Sequence, residues 1–368
     1  MSNKRLCSAE DETGEEEEID VERIAKFPQD YIKRGESIVQ LSFPPPLQAK
    51  VPIAFSHQIF LDGRHCGFRD LSVHLEFDGL WRCTSASETH TNSLANNEGS
   101  ALNIIKTKLP QLFAYIPNSP APKFGTLRRR VREELDLYWN EKPDCKLFER
   151  LHAMAVFYIE CASQVEQFNS NWKLLTLVDS GVVMVACCTV YEFVNPIRDI
   201  KSWRICVVLV LPQMQRRGLA AELVREVYAL AKEHGVTEVT VEDPCVEFSR
   251  VRHRVELELC TASPNQLPFT SLNEFQAATP SEVAKFSSQM RFSKPSAQFC
   301  FEALWRRLLL ANSFAPESSD EWKVYRLRIK ARMKRETVGL PDSKLYPEEF
   351  KTALQQEYLE LQRQFAEL

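Results

Sequence analysis

The amino-acid sequence predicts an α+β fold: a central mixed sheet flanked by helices, preceded by an N-terminal α+β domain and followed by a C-terminal helical domain. Three stretches carry that expectation. Residues 203–243, WRICVVLVLPQMQRRGLAAELVREVYALAKEHGVTEVTVED, pass from an apolar β-branched run to apolar positions three and four apart, and then to a short strand. Residues 172–178 and 182–193 are two apolar arms around Asp179-Ser180-Gly181, the pattern of a hairpin. Beyond residue 270 the texture is helical, with a capping box at Thr279-Pro280-Ser281-Glu282.

Residues 1–24 contain Glu10-Asp11-Glu12 and Glu15-Glu16-Glu17-Glu18, and self-repulsion with few apolar groups predicts a disordered acidic head. Strands are expected over 37–43, 51–60 and 71–77, a polar loop over 84–99, and a short helix over 101–108 ended before Pro110. Together these make the α+β domain, residues 30–125. His57, His65 and His74 are too unevenly spaced to suggest a metal site. Arg128-Arg129-Arg130 and Arg132, mixed with Glu133, Glu134 and Asp136, read first as a charged helix surface, with a groove for phosphate as the lesser alternative. Residues 151–165, LHAMAVFYIECASQV, read as an apolar helix carrying one carboxylate, Glu160. A buried charge is costly, so Glu160 is expected to pair, to snorkel or to line a wet cleft.

The strand over 203–211 is halted by Pro212, which has no N–H for a ladder. Leu219, Leu223, Val224, Val227, Tyr228, Leu230 and Ala231 then share one helical face, and Gly235 stands at the C′ position. Val239 and Val241 lead a strand into Glu242-Asp243. Residues 246–254 read as a short helix and 255–259 as a further strand, closing a core domain over 140–262. Helices over 301–311, 321–336 and 347–368 belong to a helical domain over 270–368. Within it, residues 325–335, YRLRIKARMKR, are basic and amphipathic and read as the solvated face of a packed helix, with a surface for a histone, an RNA or an acidic partner as the alternative.

Lys plus Arg number 46 against 50 Asp plus Glu, a net charge of −4, so direct nucleic-acid binding is not expected and a basic partner is mildly favoured. The 11 cysteines have no C-x-x-C spacing and read as reduced thiols rather than a zinc knuckle or a disulfide scaffold. No 18-residue uncharged apolar span and no N-terminal apolar h-region are found, so neither membrane insertion nor secretion is expected.

The turn Gln215-Arg216-Arg217-Gly218-Leu219-Ala220 is where chemistry is expected. Its glycine lets the backbone pass close to a ligand, and the N–H groups of the following helix point at whatever lies in front, for which phosphate is the natural guest. Rossmann and Walker loops need more glycines or a Gly-Lys-Ser/Thr ending, and both are absent. The pattern Q-x-x-G-x-A resembles the acetyl-CoA pyrophosphate loop of the GCN5-related N-acetyltransferases (GNATs), Q/R-x-x-G-x-G/A. Read with SHQIFLDG, LHAMAVFYIECAS, VVMVACCTVYEFV, VVLVLPQMQRRGLAAELV, TVEDP and YRLRIKARM, the chain resembles the type B histone acetyltransferase catalytic subunits over about residues 35–335.

That resemblance implies a GNAT-like central sheet, an N-terminal domain that helps form a histone groove, and a C-terminal helical domain. It implies acetyl-CoA as cosubstrate, with the backbone of Arg217, Gly218, Leu219 and Ala220 on the pyrophosphate. Gln215 and Arg216 complete the loop, and Val208, Val210 and Leu211 offer a strand edge to the pantetheine arm. It also implies that Glu160, Glu242 and Asp243 are the working carboxylates. A thioester is attacked by a neutral amine, whereas free lysine titrates near 10.4, so a base must take a proton. Glu242 is expected to be that base, partly buried beside like charges, with Glu160 and Asp243 orienting the acceptor. No metal and no covalent enzyme intermediate are expected, and Cys206 and Cys245 have no Cys-His-acid constellation. The implied partners are histone H4, with or without H3, and a WD-repeat β-propeller histone chaperone; the implied location is nuclear and cytoplasmic. The alternatives are an N-acetyltransferase for another protein or a polyamine, and a catalytically silent acyl-CoA-binding scaffold.

Overall fold

The computed structural model describes residues 23–47, 50–114, 124–165, 167–197, 200–262, 269–311, 317–337 and 347–368. The expected acidic head lies outside them, except for its last two residues. The chain divides into two compact units, Met1–Tyr191 with Cys206–Leu223, and Glu192–Ile205 with Val224–Leu368. The fold is α+β, with a central mixed sheet, flanking helices and a helical C-terminal region.

In the first unit, β1 (Val39–Ser42), β2 (Val51–Pro52), β3 (Ser72–Phe77) and β4 (Cys83–Thr89) form a sheet in the order β2-β1-β3-β4. Val39 and Leu41 pair with Val73 and Leu75 in parallel, and all four side chains are buried. Two expectations change here. The strand predicted over 51–60 ends at Pro52, because the Ile59 and Phe60 N–H groups fold back onto the Ser56 carbonyl. The polar loop predicted over 84–99 instead contains β4, whose polar residues suit a strand with an exposed face. Helix α1 (Ala101–Lys108) forms as expected, with the Ser100 hydroxyl accepting the Asn103 N–H at 3.1 Å.

The central sheet comprises β5 (Thr126–Arg132), β6 (Leu135–Asn140), β7 (Trp172–Asp179), β8 (Val183–Asn195), β9 (Ile200–Val210) and β10 (Glu238–Val241), in the order β10-β9-β8-β7-β6-β5. The arginine-rich stretch expected on a helix is thus half of the β5–β6 hairpin. In β6, Leu135, Leu137 and Trp139 alternate inward and supply the buried face. Helix α2 (Cys145–Ala155) is capped by Asp144, whose carboxylate accepts the Leu147 N–H at 3.0 Å. The β7–β8 hairpin turns through Ser180 (φ 49°) and Gly181 (φ 70°), as expected. Beside it, the Gly79 carbonyl accepts the Met184 N–H at 2.8 Å, and the Trp81 indole donates to the Met184 carbonyl at 2.8 Å. A Cβ on Gly79 would come within 2.3 Å of the Val182 carbonyl oxygen, so only glycine allows this approach.

The second unit holds β10 and most of α3 (Leu219–Glu233), which ends where the Val236 N–H reaches back to the Ala231 carbonyl at 2.9 Å. The helix and strand expected over 246–259 are one helix, α4 (Val246–Ala262). Arg252, Val255, Glu256 and Cys260 are buried at helical spacing, and Arg252 pairs with Glu256 one turn on at 2.8 Å. Tyr228 donates to the same Glu256 oxygen at 2.5 Å, while Arg252 also donates to Ser293 at 2.8 Å. Then follow α5 (Leu272–Ala277), α6 (Pro280–Met290), α7 (Lys294–Ala311), α8 (Asp320–Thr337) and α9 (Pro347–Glu367). The Thr279 capping box is present: Glu282 accepts both the Thr279 N–H and its hydroxyl at 2.7 Å. Phe275, Phe286, Phe301, Trp305 and Tyr325 fill this region's core.

Candidate active site

Strand β9 has two unlike faces. Trp203, Ile205, Val207 and Leu209 are buried, whereas Arg204, Cys206, Val208 and Val210 are half-buried. Its pairing with β10 runs from Ser202 opposite Glu238 to Ile205 opposite Val241, and β9 then continues to Val210. Cys206, Val208 and Val210 therefore present an apolar, partly accessible surface on the stretch that extends beyond the β10 register.

The chain leaves β9 through a single tight turn over Pro212–Met214, in which the Met214 N–H bonds the Leu211 carbonyl at 2.8 Å. Gln215 turns back on the strand, its Nε2 donating to the Val210 carbonyl at 3.0 Å, so its side chain braces the loop. Arg216 (φ 62°) and Gly218 (φ 77°) are left-handed on either side of Arg217. That conformation costs about 1–2 kcal/mol for a residue with a Cβ, and at Gly218 it costs nothing comparable. A Cβ placed on Gly218 would meet no atom within 4 Å, so the space in front of the turn is open. The Glu222 N–H bonds the Gly218 carbonyl at 3.2 Å, closing the first turn of α3. The N–H groups of Leu219, Ala220 and Ala221 precede that bond and have no carbonyl inside the helix to receive them. They lie at the positive end of the helix dipole.

Positive charge gathers at the same place. Arg216 and Arg217 are exposed, Arg132 of β5 donates to the Arg217 carbonyl, and Arg129 pairs with Glu222 at 2.7 Å. For Arg129 and Arg132 a charged helix surface is the main expectation and a phosphate groove the lesser one; they stand on strand β5 beside this loop. Backbone donors, exposed cations and an adjoining apolar strand face fit a pyrophosphate carried on an extended thiol arm.

The expected carboxylates occupy less enclosed positions than anticipated. Helix α2 stops at Ala155, so Glu160 lies beyond it on an exposed turn instead of inside an apolar helix. That turn is held because the Phe157 carbonyl accepts the N–H groups of Ala54 and Phe55, at 2.8 and 3.1 Å. In the second unit, the Glu242 N–H bonds the Ile205 carbonyl at 2.9 Å, and Asp243 turns the chain with φ 33°. Both acidic side chains are exposed, so the expected partial burial is not found. Glu242 and Asp243 stand together at the end of β10, whereas Glu160 belongs to the first unit.

Residues 132–249 match the model of the acetyltransferase (GNAT) family. Residues 132–249 have the fold of a GNAT acetyltransferase. The GNAT segment contains the loop, β9, α3 and the acidic pair, and its fold is that of acetyl-CoA-dependent acyltransferases. Two histone acetyltransferase type B catalytic subunits of Dictyostelium discoideum are 23% and 22% identical, over 78% of this chain and 67% and 66% of their own. The human type B catalytic subunit is 26% identical over 50% of this chain and 44% of its own. The chain thus spans about two thirds of the Dictyostelium relatives and less than half of the human one. Among solved structures, an aminoglycoside acetyltransferase from an uncultured soil metagenomic sample is 18% identical over 33% of this chain and 90% of its own, with a TM-score of 0.28. Among the described residues, no group of three or more His, Cys, Asp or Glu side chains gathers as metal ligands.

Proposed function

We propose that the protein is an acetyl-CoA-dependent lysine N-acetyltransferase acting on the N-terminal tail of free, newly synthesised histone H4. The observation that carries the acyl-transfer part is the turn at Gly218, where a left-handed glycine, the open N-terminus of α3 and exposed arginines coincide. The histone part is supported by the low-identity likeness to type B catalytic subunits over most of the chain. The loop backbone holds the pyrophosphate, and the Cys206–Val208–Val210 face receives the thiol arm. Glu242 takes one proton from the acceptor ammonium; the amine attacks the thioester carbon, the C–S bond breaks, and coenzyme A leaves as the thiol carrying the second proton from nitrogen. Asp243 and Glu160 attract and orient the basic acceptor. Histone H3 accompanies H4 in some substrates, a WD-repeat β-propeller chaperone presents them, and the enzyme works in cytoplasm and nucleus.

The test is acetyl-CoA turnover against free H4, free H3, nucleosomes and polyamines, with products resolved by mass spectrometry. Preference for the free H4 tail is the expected result; turnover of polyamines alone would remove the histone assignment. In the same assay Glu242→Gln should lower kcat by about 10²–10⁴-fold, the usual range for a general base. Glu160→Gln should raise KM for the peptide more than KM for acetyl-CoA. Normal turnover by Glu242→Gln at subsaturating peptide would reassign the base.

A further inference from the structure

Strand β5 does not alternate regularly against β6. Arg132 stands opposite Leu135, Arg130 opposite Asp136, Arg129 opposite Leu137, and Leu127 opposite Tyr138, so Val131 and Arg128 are passed over by bulges. In a regular strand, Arg129 and Arg132, three positions apart, would point to opposite faces. The bulge at Val131 removes one step of alternation and returns them to the same face, that of Leu135 and Leu137. Arg130 remains on the other face, paired with Asp136 at 3.0 Å.

Both realigned arginines reach the loop–helix junction. Arg132 donates to the Arg217 carbonyl, and Arg129 bonds Glu222 in the first turn of α3. In a trans peptide, the carbonyl of one residue and the N–H of the next point in opposite directions. A guanidinium fixing the Arg217 carbonyl therefore turns the Gly218 N–H away from β5. It also braces Arg217 between the two left-handed residues Arg216 and Gly218. The Arg129–Glu222 pair anchors the following turn, whose N–H groups complete the cradle.

We propose that the bulged edge strand β5 is a clamp for the phosphate loop, with Arg132 and Arg129 as positioning residues that preset the backbone for a pyrophosphate-bearing acyl donor. The clamp rests on the acetyl-CoA reading above and adds the residues that shape its loop. The device acts on the phosphate part of the donor and leaves the thiol arm to β9.

The experiment compares dissociation constants for acetyl-CoA and for S-acetylpantetheine, which lacks the pyrophosphate and nucleotide, by calorimetry on the full chain. Arg132→Gln should weaken acetyl-CoA at least tenfold and change S-acetylpantetheine by less than twofold, with an unchanged melting temperature. Arg132→Lys, which keeps a charge and a donor, should recover most of the loss, and Arg129→Gln should reproduce a smaller version of it. Wild-type affinity for acetyl-CoA in Arg132→Gln, or equal loss for both ligands, overturns the clamp while leaving the acetyl-CoA reading intact. A wild-type chain that binds no acetyl-CoA removes that reading and the clamp with it.

Discussion

Arg332 lies inside the helical region against Glu302, with contacts of 2.6 and 3.0 Å, whereas Arg132 is exposed and holds a loop carbonyl. The contrast extends to their neighbours. Arg328 donates to the carbonyls of Phe275, Gln276 and Ala278 at the end of α5 and lies over the rings of Phe301 and Trp305, at 5.4 and 5.5 Å. Around Arg132 the cations Arg216 and Arg217 face solvent. In one basic stretch Arg328 and Arg332 are engaged in joining helices. The other surrounds open backbone donors, where charge is useful only to an anion. Net charge and local arginine content are poor guides here; Arg328 and Arg332 end on acceptors within the helical region, whereas Arg132 and Arg129 hold a loop beside which Arg216 and Arg217 stay exposed.

The largest effect that should distinguish the regions is Arg332→Ala. It strands the Glu302 carboxylate, 2% exposed, without its guanidinium, and burial already holds that carboxyl above its usual range. A loss of about 3–5 kcal/mol in denaturant unfolding is expected. A change under 1 kcal/mol would show that the pair is not the internal brace described. Arg328→Ala should cost less, about 1–3 kcal/mol, by leaving helix-end carbonyls without their donor; proteolysis near residue 277 is a second readout.

Acid sharpens the same comparison. Burial, with Arg252 beside it, pushes the His253 imidazole down to about 4, and the ring stacks on Phe299 at 3.7 Å. Its folded value lies below the ordinary 6.5, so its contribution is fully present above pH 6.5 and is lost as pH falls through about 4. Melting curves across that window should show falling stability, and His253→Phe should flatten the slope; an unchanged slope would assign it to other groups. The smallest stability effect belongs to Arg132→Gln, within about 0.5 kcal/mol of wild type, as for an exposed side chain. A larger loss would place Arg132 with the helix-joining arginines.

Much of the catalytic frame was readable because local signals agreed. Pro212, Gly218 and Gly235 punctuate the segment that becomes β9, loop and α3, and the apolar period changes where they stand. The Thr279 box likewise marks its helix without tertiary help. The β5–β6 hairpin was hidden because two bulges break the alternation of β5 and its arginines resemble a charged helix face. Val255 to Leu259 alternates as a strand would, but the Arg252–Glu256 pair and burial at helical spacing show the period that prevailed. The sequence around Glu160 reads as one apolar helix because no glycine or proline marks the end of α2. The cues are tertiary: the Phe157 carbonyl is taken by Ala54 and Phe55, and Cys161 adopts φ 57°.

The Gly79–Trp81 contact with Met184 bears on how the molecule can be dissected. Met184 is fully buried, and its backbone N–H and carbonyl are both satisfied by residues about a hundred positions earlier in the chain. Trimming to the family-matched residues 132–249 keeps loop, helix and acidic pair but removes both backbone partners of Met184 and all of β5 before Arg132, Arg129 included. A fragment that preserves these two bonds therefore reaches back at least to Gly79, so residues well before the family-matched segment are tied into the central sheet.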